Sequence, residues 1–178
     1  PLNASSSAWC RAHPSRMDAL RVAIAAPEGT PYSGGLFVFD VRFPPTYPSG
    51  PPSVQLLTTG RGTVRFNPNL YECGKVCLSL LGTWEGRAGE TWNERTSTLL
   101  QVLVSIQALI FVPDPYYNEP GSVWKSTTGL GGPDQTSNLS LSVKSKSIRL
   151  IFGRIDRSRR VLEAEPKRLR QNCRVRAH

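Results

Sequence analysis

The sequence is poor in the residues that several common kinds of site require. Only two histidines, His13 and His178, occur among 178 residues, and the four cysteines are scattered. A structural zinc site needs four nitrogen or sulfur ligands, and a nucleophilic cysteine of the protease kind needs a histidine base. The cysteines are also too few for the disulfide framework of a small secreted protein. We therefore expect no metal centre, no Cys-His pair and a reducing compartment, either the cytoplasm or the nucleus.

Long apolar runs are also missing. No stretch approaches the roughly 18 apolar residues that cross a bilayer, so we expect no contact with a membrane. The first residues given show no basic run followed by an apolar stretch, and we expect no signal peptide. Hydrophobic residues make up 39% of the chain and charged residues 20%. This composition predicts one soluble domain with a modest core.

The net charge of +9 belongs to one end of the chain. Residues 1–121 contain nine Lys or Arg and nine Asp or Glu. Residues 122–178 contain 13 Lys or Arg but only four Asp or Glu. The second segment is rich in Ser and Gly and then in Arg, and it has little to bury. We therefore expect a polar N-terminal segment at 1–15, a folded core at 16–121 and a basic, disordered tail at 122–178. Because the core is neutral, a basic nucleic-acid-binding protein remains only an alternative, and nucleic acid is not an expected partner.

Period-two patterns predict an antiparallel meander in the first half of the core. Four segments favour strands: residues 19–25, 36–43, 54–58 and, briefly, 64–66. In the second of them Phe37, Phe39, Val41 and Phe43 share one face, which we expect to be buried. Five prolines within residues 44–52 exclude both a helix and a central strand there. The pattern therefore predicts four antiparallel strands.

A helical pattern follows at residues 97–112. The predicted buried positions are Leu99, Leu100, Leu103, Ile106, Leu109 and Ile110. Thr96 or Ser97 is the predicted N-cap, and Pro113 ends the helix because the residue before a proline avoids the helical region. A meander, an irregular segment and a core helix together predict an α+β domain.

The irregular segment at residues 66–84 is the part of the sequence that carries chemistry. A long apolar segment without a regular pattern, inside a compact domain, indicates a functional site. Without a histidine base, Cys77 suits thioester exchange, because an activated acyl group needs little base catalysis. The tetrahedral oxyanion then needs a hydrogen-bond donor. Asn69, behind the rigid Pro68 and eight residues before Cys77, is the candidate donor.

The motifs around this segment resemble those of ubiquitin-conjugating enzymes. They occur in the family's order: Gly29-Thr30-Pro31-Tyr32, Phe43-Pro44-Pro45-Thr46-Tyr47-Pro48, Asn67-Pro68-Asn69, Gly74-Lys75-Val76-Cys77-Leu78, then Trp92. The resemblance covers about residues 16–121. It implies that Cys77 accepts ubiquitin, or a similar modifier, as a thioester from an activating enzyme and passes it to a substrate lysine. It also implies that Asn69 is the catalytic asparagine, that a ligase or substrate protein is a further partner, and that no cofactor is needed.

Two segments indicate a subgroup of the family. Residues 64–71 and 80–84 are similar to large members that combine conjugating and ligase functions in one chain, including the giant one with inhibitor-of-apoptosis repeats. Asn67 replaces the histidine of the family's His-Pro-Asn motif, which favours a structural hydrogen-bonding role. Ser49 replaces a bulky apolar residue that many members use to contact RING ligases.

The end of the core departs further from the family. The acidic residue that guides the attacking lysine has no unique counterpart in residues 114–119, where Asn118 and Glu119 are supporting candidates. The family's C-terminal helices are not recognisable in residues 122–178. A catalytically impaired interaction module with the same fold is therefore the second hypothesis.

Overall fold

The computed structural model describes residues 7–87 and 89–118, and the predicted tail at 122–178 lies outside them. Four strands form one antiparallel sheet in chain order: β1 (Ala8–His13), β2 (Arg16–Ala25), β3 (Leu36–Arg42) and β4 (Ser53–Leu56). After the sheet come a 3-10 turn, an α-helix, a π-helical turn and a second 3-10 turn: Ser79–Leu81, α1 (Leu99–Ser105), Ile106–Ile110 and Pro115–Asn118. The predicted α+β class and the four-stranded antiparallel sheet are confirmed.

The membership of the sheet differs from the prediction. Residues 64–66 form no strand, because the amide of Val64 donates to the carbonyl of Thr59 (2.9 Å) within a turn. The fourth strand is instead β1, from the segment assigned to the polar N-terminus, and it pairs along β2 from Ala8 opposite Ile24. Three of its six residues are exposed. An edge strand with so few buried side chains shows no hydrophobic alternation, so the sequence pattern missed it.

The hydrophobic core lies against one face of the sheet. Phe37, Phe39 and Val41 of β3 are at most 2% exposed, as the alternation predicted. Phe37 packs edge-on against Phe66, with ring centroids 5.2 Å apart. It also packs against Phe111, which follows the helical region, with ring centroids 4.6 Å apart. The strand, the irregular segment and the end of the helix therefore meet in one cluster of aromatic side chains.

The opposite face of β3 also contains a buried group, which the alternation did not predict. Asp40 accepts hydrogen bonds from Arg21 of β2 at 2.7 and 3.0 Å, and both side chains are under 10% exposed. The paired register of the two strands places these residues directly opposite each other. The ion pair compensates the charges whose burial would otherwise be costly.

The N-cap of α1 is Thr98, so the predicted caps at Thr96 and Ser97 are wrong. The Thr98 hydroxyl accepts a hydrogen bond from the Gln101 amide (3.3 Å), and the Gln101 side chain accepts one from the Thr98 amide (2.8 Å). This reciprocal capping box needs Glu or Gln three residues after the cap. Leucine occupies that position relative to Thr96 and to Ser97.

The buried face of the helix is also narrower than predicted. Val102, Leu103, Ile106 and Ile110 are buried, but the side chains of Leu100 and Leu109 are exposed. Leu100 lies outside the buried stripe of α1. The π-helical turn adds a residue to the last turn, which keeps Ile110 on the core side and rotates Leu109 away.

The part of the chain that the structure describes contains no helix with the length and apolar character of a membrane span.

Replacing Thr98 with alanine is expected to lower the free energy of unfolding by about 1 kcal/mol, because the substitution removes the N-cap acceptor. Urea unfolding followed by circular dichroism measures the change. Thr96→Ala is the matched control, since the Thr96 hydroxyl makes no hydrogen bond among the described residues. Equal losses in the two variants would contradict the capping assignment.

Candidate active site

A close backbone approach to β4 fixes the segment that carries Cys77. The amide of Leu56 donates to the carbonyl of Gly74 (2.8 Å), and Gly74 has a φ of 90°. A Cβ atom at position 74 would lie 2.5 Å from the Leu56 carbonyl oxygen, so only glycine fits there. Val76 then forms a β-bridge with Leu70. Cys77 therefore follows a segment whose backbone position is well defined.

Asn69 and Cys77 hold each other through two hydrogen bonds. The Cys77 amide donates to the Asn69 carbonyl (2.9 Å), and the Asn69 side-chain amide donates through Nδ2 to the Cys77 carbonyl (3.0 Å). Because that carbonyl only accepts, the NH₂ group of Asn69 must face it. The other amide atom, Oδ1, is buried and has no hydrogen-bond partner among the residues that the structure describes. The structure thus brings together the two residues that the sequence singled out, eight positions apart.

Asn67 lies behind this pair and is completely buried. Its Oδ1 accepts a hydrogen bond from the Asn69 amide (2.8 Å), while its Nδ2 donates to the Tyr32 hydroxyl (2.8 Å) and to the Ile110 carbonyl (2.9 Å). Pro68, which is also buried, separates the two asparagines and has no amide hydrogen of its own. These contacts meet the requirements of the structural hydrogen-bonding role that the sequence suggested for Asn67.

A cavity of about 530 Å³ lies next to the pair, lined by both Asn69 and Cys77. The loop after Cys77 forms one wall, through Trp84 and Glu90, and the exposed side of the helix forms another. The Cys77 residue is only 1% exposed, so the cavity is the space next to its side chain.

The supporting candidates at the end of the core are placed only in part. Asn118 lines the same cavity as Cys77, and its side-chain amide donates to the Leu109 carbonyl (2.9 Å). Glu119 lies outside the described residues. Among the residues that the structure describes, no group of three or more His, Cys, Asp or Glu side chains could hold a metal ion.

Two residues that contact the site were not assigned a role from sequence. The Thr83 hydroxyl donates to the Val76 carbonyl (2.7 Å) and accepts from the Leu78 amide (3.0 Å), so it bridges both sides of Cys77. Its position directly after Gly82 is the one local sign of a turn. Tyr32 was noted in the sequence only as part of a motif. Its contact with Asn67 was not predicted, because the two residues lie 35 positions apart. Burial raises the pKa of the Tyr32 phenol, which therefore stays protonated.

Comparisons with known proteins agree with this geometry. A model of the family described as ubiquitin-conjugating enzyme matches residues 2–126, a wider range than the motifs alone indicated. The chain is 60% identical over 121 residues to the Caenorhabditis elegans "Probable ubiquitin-conjugating enzyme protein 17". The alignment covers 68% of this chain and 16% of that protein. The chain is 59% identical over 121 residues to the Homo sapiens "Dual E2 ubiquitin-conjugating enzyme/E3 ubiquitin-protein ligase BIRC6". This alignment covers 68% of this chain and 2% of that protein. The predicted similarity to large hybrid members is confirmed.

A solved structure supports the fold. The E2 domain of a Toxoplasma gondii ubiquitin conjugating enzyme superimposes with a TM-score of 0.60 at 24% identity, covering 80% of this chain and 87% of that one. The chain spans only a small part of the two curated relatives named above. The sequence identity, the family match and the shared fold all give the same result: the chain belongs to the ubiquitin-conjugating enzyme family, whose members transfer ubiquitin through a thioester intermediate.

Proposed function

We propose that this chain accepts ubiquitin, or a similar modifier, on the Cys77 thiol and transfers it to a substrate lysine. The observation that carries the proposal is the reciprocal hydrogen bonding of Asn69 and Cys77 beside a shared cavity, in a chain of this family. Family membership supplies the type of reaction. The geometry supports Cys77 and Asn69 as the two residues that perform it here.

The first step is a thioester exchange. The Cys77 thiolate attacks the terminal carbonyl carbon of the modifier, which arrives as a thioester on the activating enzyme. A new carbon–sulfur bond forms, and the thiolate of the activating enzyme leaves. The bond energy is conserved, so the step requires no oxidant, metal or histidine base. ATP is consumed earlier, by the activating enzyme.

The second step is an aminolysis. The uncharged amine of a substrate lysine attacks the thioester carbonyl, a carbon–nitrogen bond forms, the Cys77 thiolate leaves and the amine loses a proton. Negative charge develops on the carbonyl oxygen in between, and a donor placed there lowers the barrier. The Asn69 amide is adjacent to Cys77. It either rotates to donate to the oxyanion or holds the Cys77 backbone in the reactive position.

The proposed partners follow from this reaction. They are ubiquitin or a related modifier, an activating enzyme, and a ligase or substrate protein. Ser49 lies exposed in the proline-rich loop, and without a bulky apolar side chain there we propose that the chain does not depend on an ordinary RING ligase. The proposed compartment is the cytoplasm or the nucleus, where these partners and a reduced thiol would be available.

The decisive experiment incubates the full chain with ubiquitin, activating enzyme and ATP. We expect a ubiquitin adduct that disappears on treatment with a thiol reductant, because thiols cleave thioesters. Peptide mapping of the adduct should place the modification on Cys77. If no reducible adduct forms with an activating enzyme that charges a control conjugating enzyme, the proposal fails and the impaired interaction module gains support.

A further inference from the structure

The Tyr32 hydroxyl lies at the centre of a buried hydrogen-bond network. It donates to the Phe66 carbonyl (3.1 Å) and accepts from Asn67 Nδ2 (2.8 Å). The turn between β2 and β3 orients the residue, since the Thr30 hydroxyl accepts from the Tyr32 amide (3.3 Å). A Cβ atom at Gly35 would lie 2.7 Å from the Tyr32 carbonyl oxygen, so this turn tolerates no side chain there. The phenol therefore reaches the site from the turn between β2 and β3.

This phenol is one of three groups that fix the orientation of the Asn67 side chain. Each polar atom of the Asn67 side chain is engaged: Oδ1 by the Asn69 amide, and Nδ2 by the Tyr32 hydroxyl and the Ile110 carbonyl. Because the single hydroxyl proton of Tyr32 is used on Phe66, its oxygen can only accept from Asn67. Together with the Ile110 carbonyl, the phenol therefore holds the NH₂ group of Asn67, and the Asn67 oxygen faces the Asn69 amide.

The connection continues to the candidate nucleophile. Asn69, whose amide donates to Asn67, also makes both hydrogen bonds to the Cys77 backbone. The same Asn67 side chain reaches the Ile110 carbonyl at the end of the π-helical turn. One buried amide thus joins the β2–β3 turn, the end of the helix and the segment that carries Cys77.

We propose that Tyr32 is a positioning residue for the transfer step, which acts through Asn67 to hold Asn69 and the Cys77 backbone in the reactive arrangement. This inference rests on the proposed function. Aminolysis should be more sensitive to the arrangement than thioester exchange, because an amine is the weaker nucleophile and needs the developing oxyanion to be stabilised. Charging of Cys77 should depend on it much less.

Tyr32→Phe tests the proposal, because it removes only the hydroxyl and keeps the ring that packs against Phe37 and Phe111. In single-turnover assays on the full chain, discharge to lysine in solution is expected to slow about tenfold, which corresponds to about 1.4 kcal/mol in the barrier. The loss should appear in the rate at saturating lysine, with the charging rate little changed. Normal charging of Tyr32→Phe also separates this inference from the proposed function, which would fail only if the natural chain did not charge.

Two control variants separate positioning from general effects. Ile24→Val removes one methyl group from the core at a fully buried position of β2 and removes no hydrogen-bonding group of the network. Tyr47→Phe makes the same chemical change in a tyrosine that packs against Phe43, outside the network. Both are expected to discharge at the natural rate. If Ile24→Val, at a similar loss of thermal stability, slows discharge as much as Tyr32→Phe, the effect is one of stability and the proposal is wrong.

A double-mutant cycle with Asn67→His gives a sharper readout. A neutral imidazole has one N–H and one bare nitrogen, so it can donate to the Ile110 carbonyl and accept from Asn69 without needing the Tyr32 oxygen. In the Asn67→His background, adding Tyr32→Phe should therefore slow discharge by no more than about twofold, whereas two independent sites would show the same loss in both backgrounds. A tenfold loss in both backgrounds, or no loss in either, would overturn the proposed route through Asn67.

Discussion

Cys77→Ala is expected to abolish the ubiquitin adduct completely, because Cys77 is the one cysteine among the described residues that lines the cavity beside Asn69. The assay is the charging reaction with activating enzyme and ATP, resolved without reductant. Cys77→Ser should instead give an adduct that resists reductant, since an oxyester is not cleaved by thiols under these conditions. The pair of variants distinguishes loss of the nucleophile from loss of the fold.

Cys10→Ala is the matched control for this experiment. Cys10 is an exposed residue on β1, but its thiol is partly buried. This partial burial raises the pKa of the thiol, so a smaller fraction of it is thiolate at neutral pH. Charging of Cys10→Ala is expected to equal that of the natural chain. A reducible adduct that persists in Cys77→Ala would refute the assignment of Cys77.

The second large effect is expected from Asn69→Ala. The substitution removes the side-chain amide that donates to the Cys77 carbonyl at 3.0 Å, and with it the only amide proposed for the oxyanion. Loss of one oxyanion donor typically costs about 10²- to 10³-fold, and we expect discharge to lysine to fall about 10²-fold. Pre-charged enzyme, mixed with lysine after the activating enzyme is inhibited, gives the single-turnover rate.

The comparison of charging and discharge separates the two roles of Asn69. If charging remains near the natural rate while discharge falls, the amide serves the oxyanion of aminolysis. If both fall together, its main role is to hold the Cys77 backbone. Gln107→Ala is a suitable control, because it removes a side-chain amide that donates to the Ala25 carbonyl away from the cavity. Unchanged discharge in Asn69→Ala, with a native circular dichroism spectrum, would leave Asn69 as a structural turn residue alone.

Several parts of the fold were predictable because their signals are local. The alternation in residues 36–43 predicted the buried face of β3, since a strand turns each successive side chain to the opposite face. Pro113 marked the end of the helical region. The capping box of Thr98 and Gln101 was also a local signal, but the cap was assigned to Thr96 or Ser97. β1 had no such signal, because its pairing with β2, and not its own pattern, makes it a strand.

The candidate site also has parts that the sequence predicted and parts that it did not. The sequence by itself determined that Cys77 and Asn69 belong together, because they lie eight residues apart in one irregular segment whose motifs resemble a known family. Only the tertiary structure decided what holds them. Asn67 contacts Tyr32 across 35 positions and Ile110 across 43, and the buried amide needs partners that only the packed turn and helix end provide. Hydrogen-bond geometry across such distances depends on how the sheet and the helix pack, and no local pattern of residues encodes it.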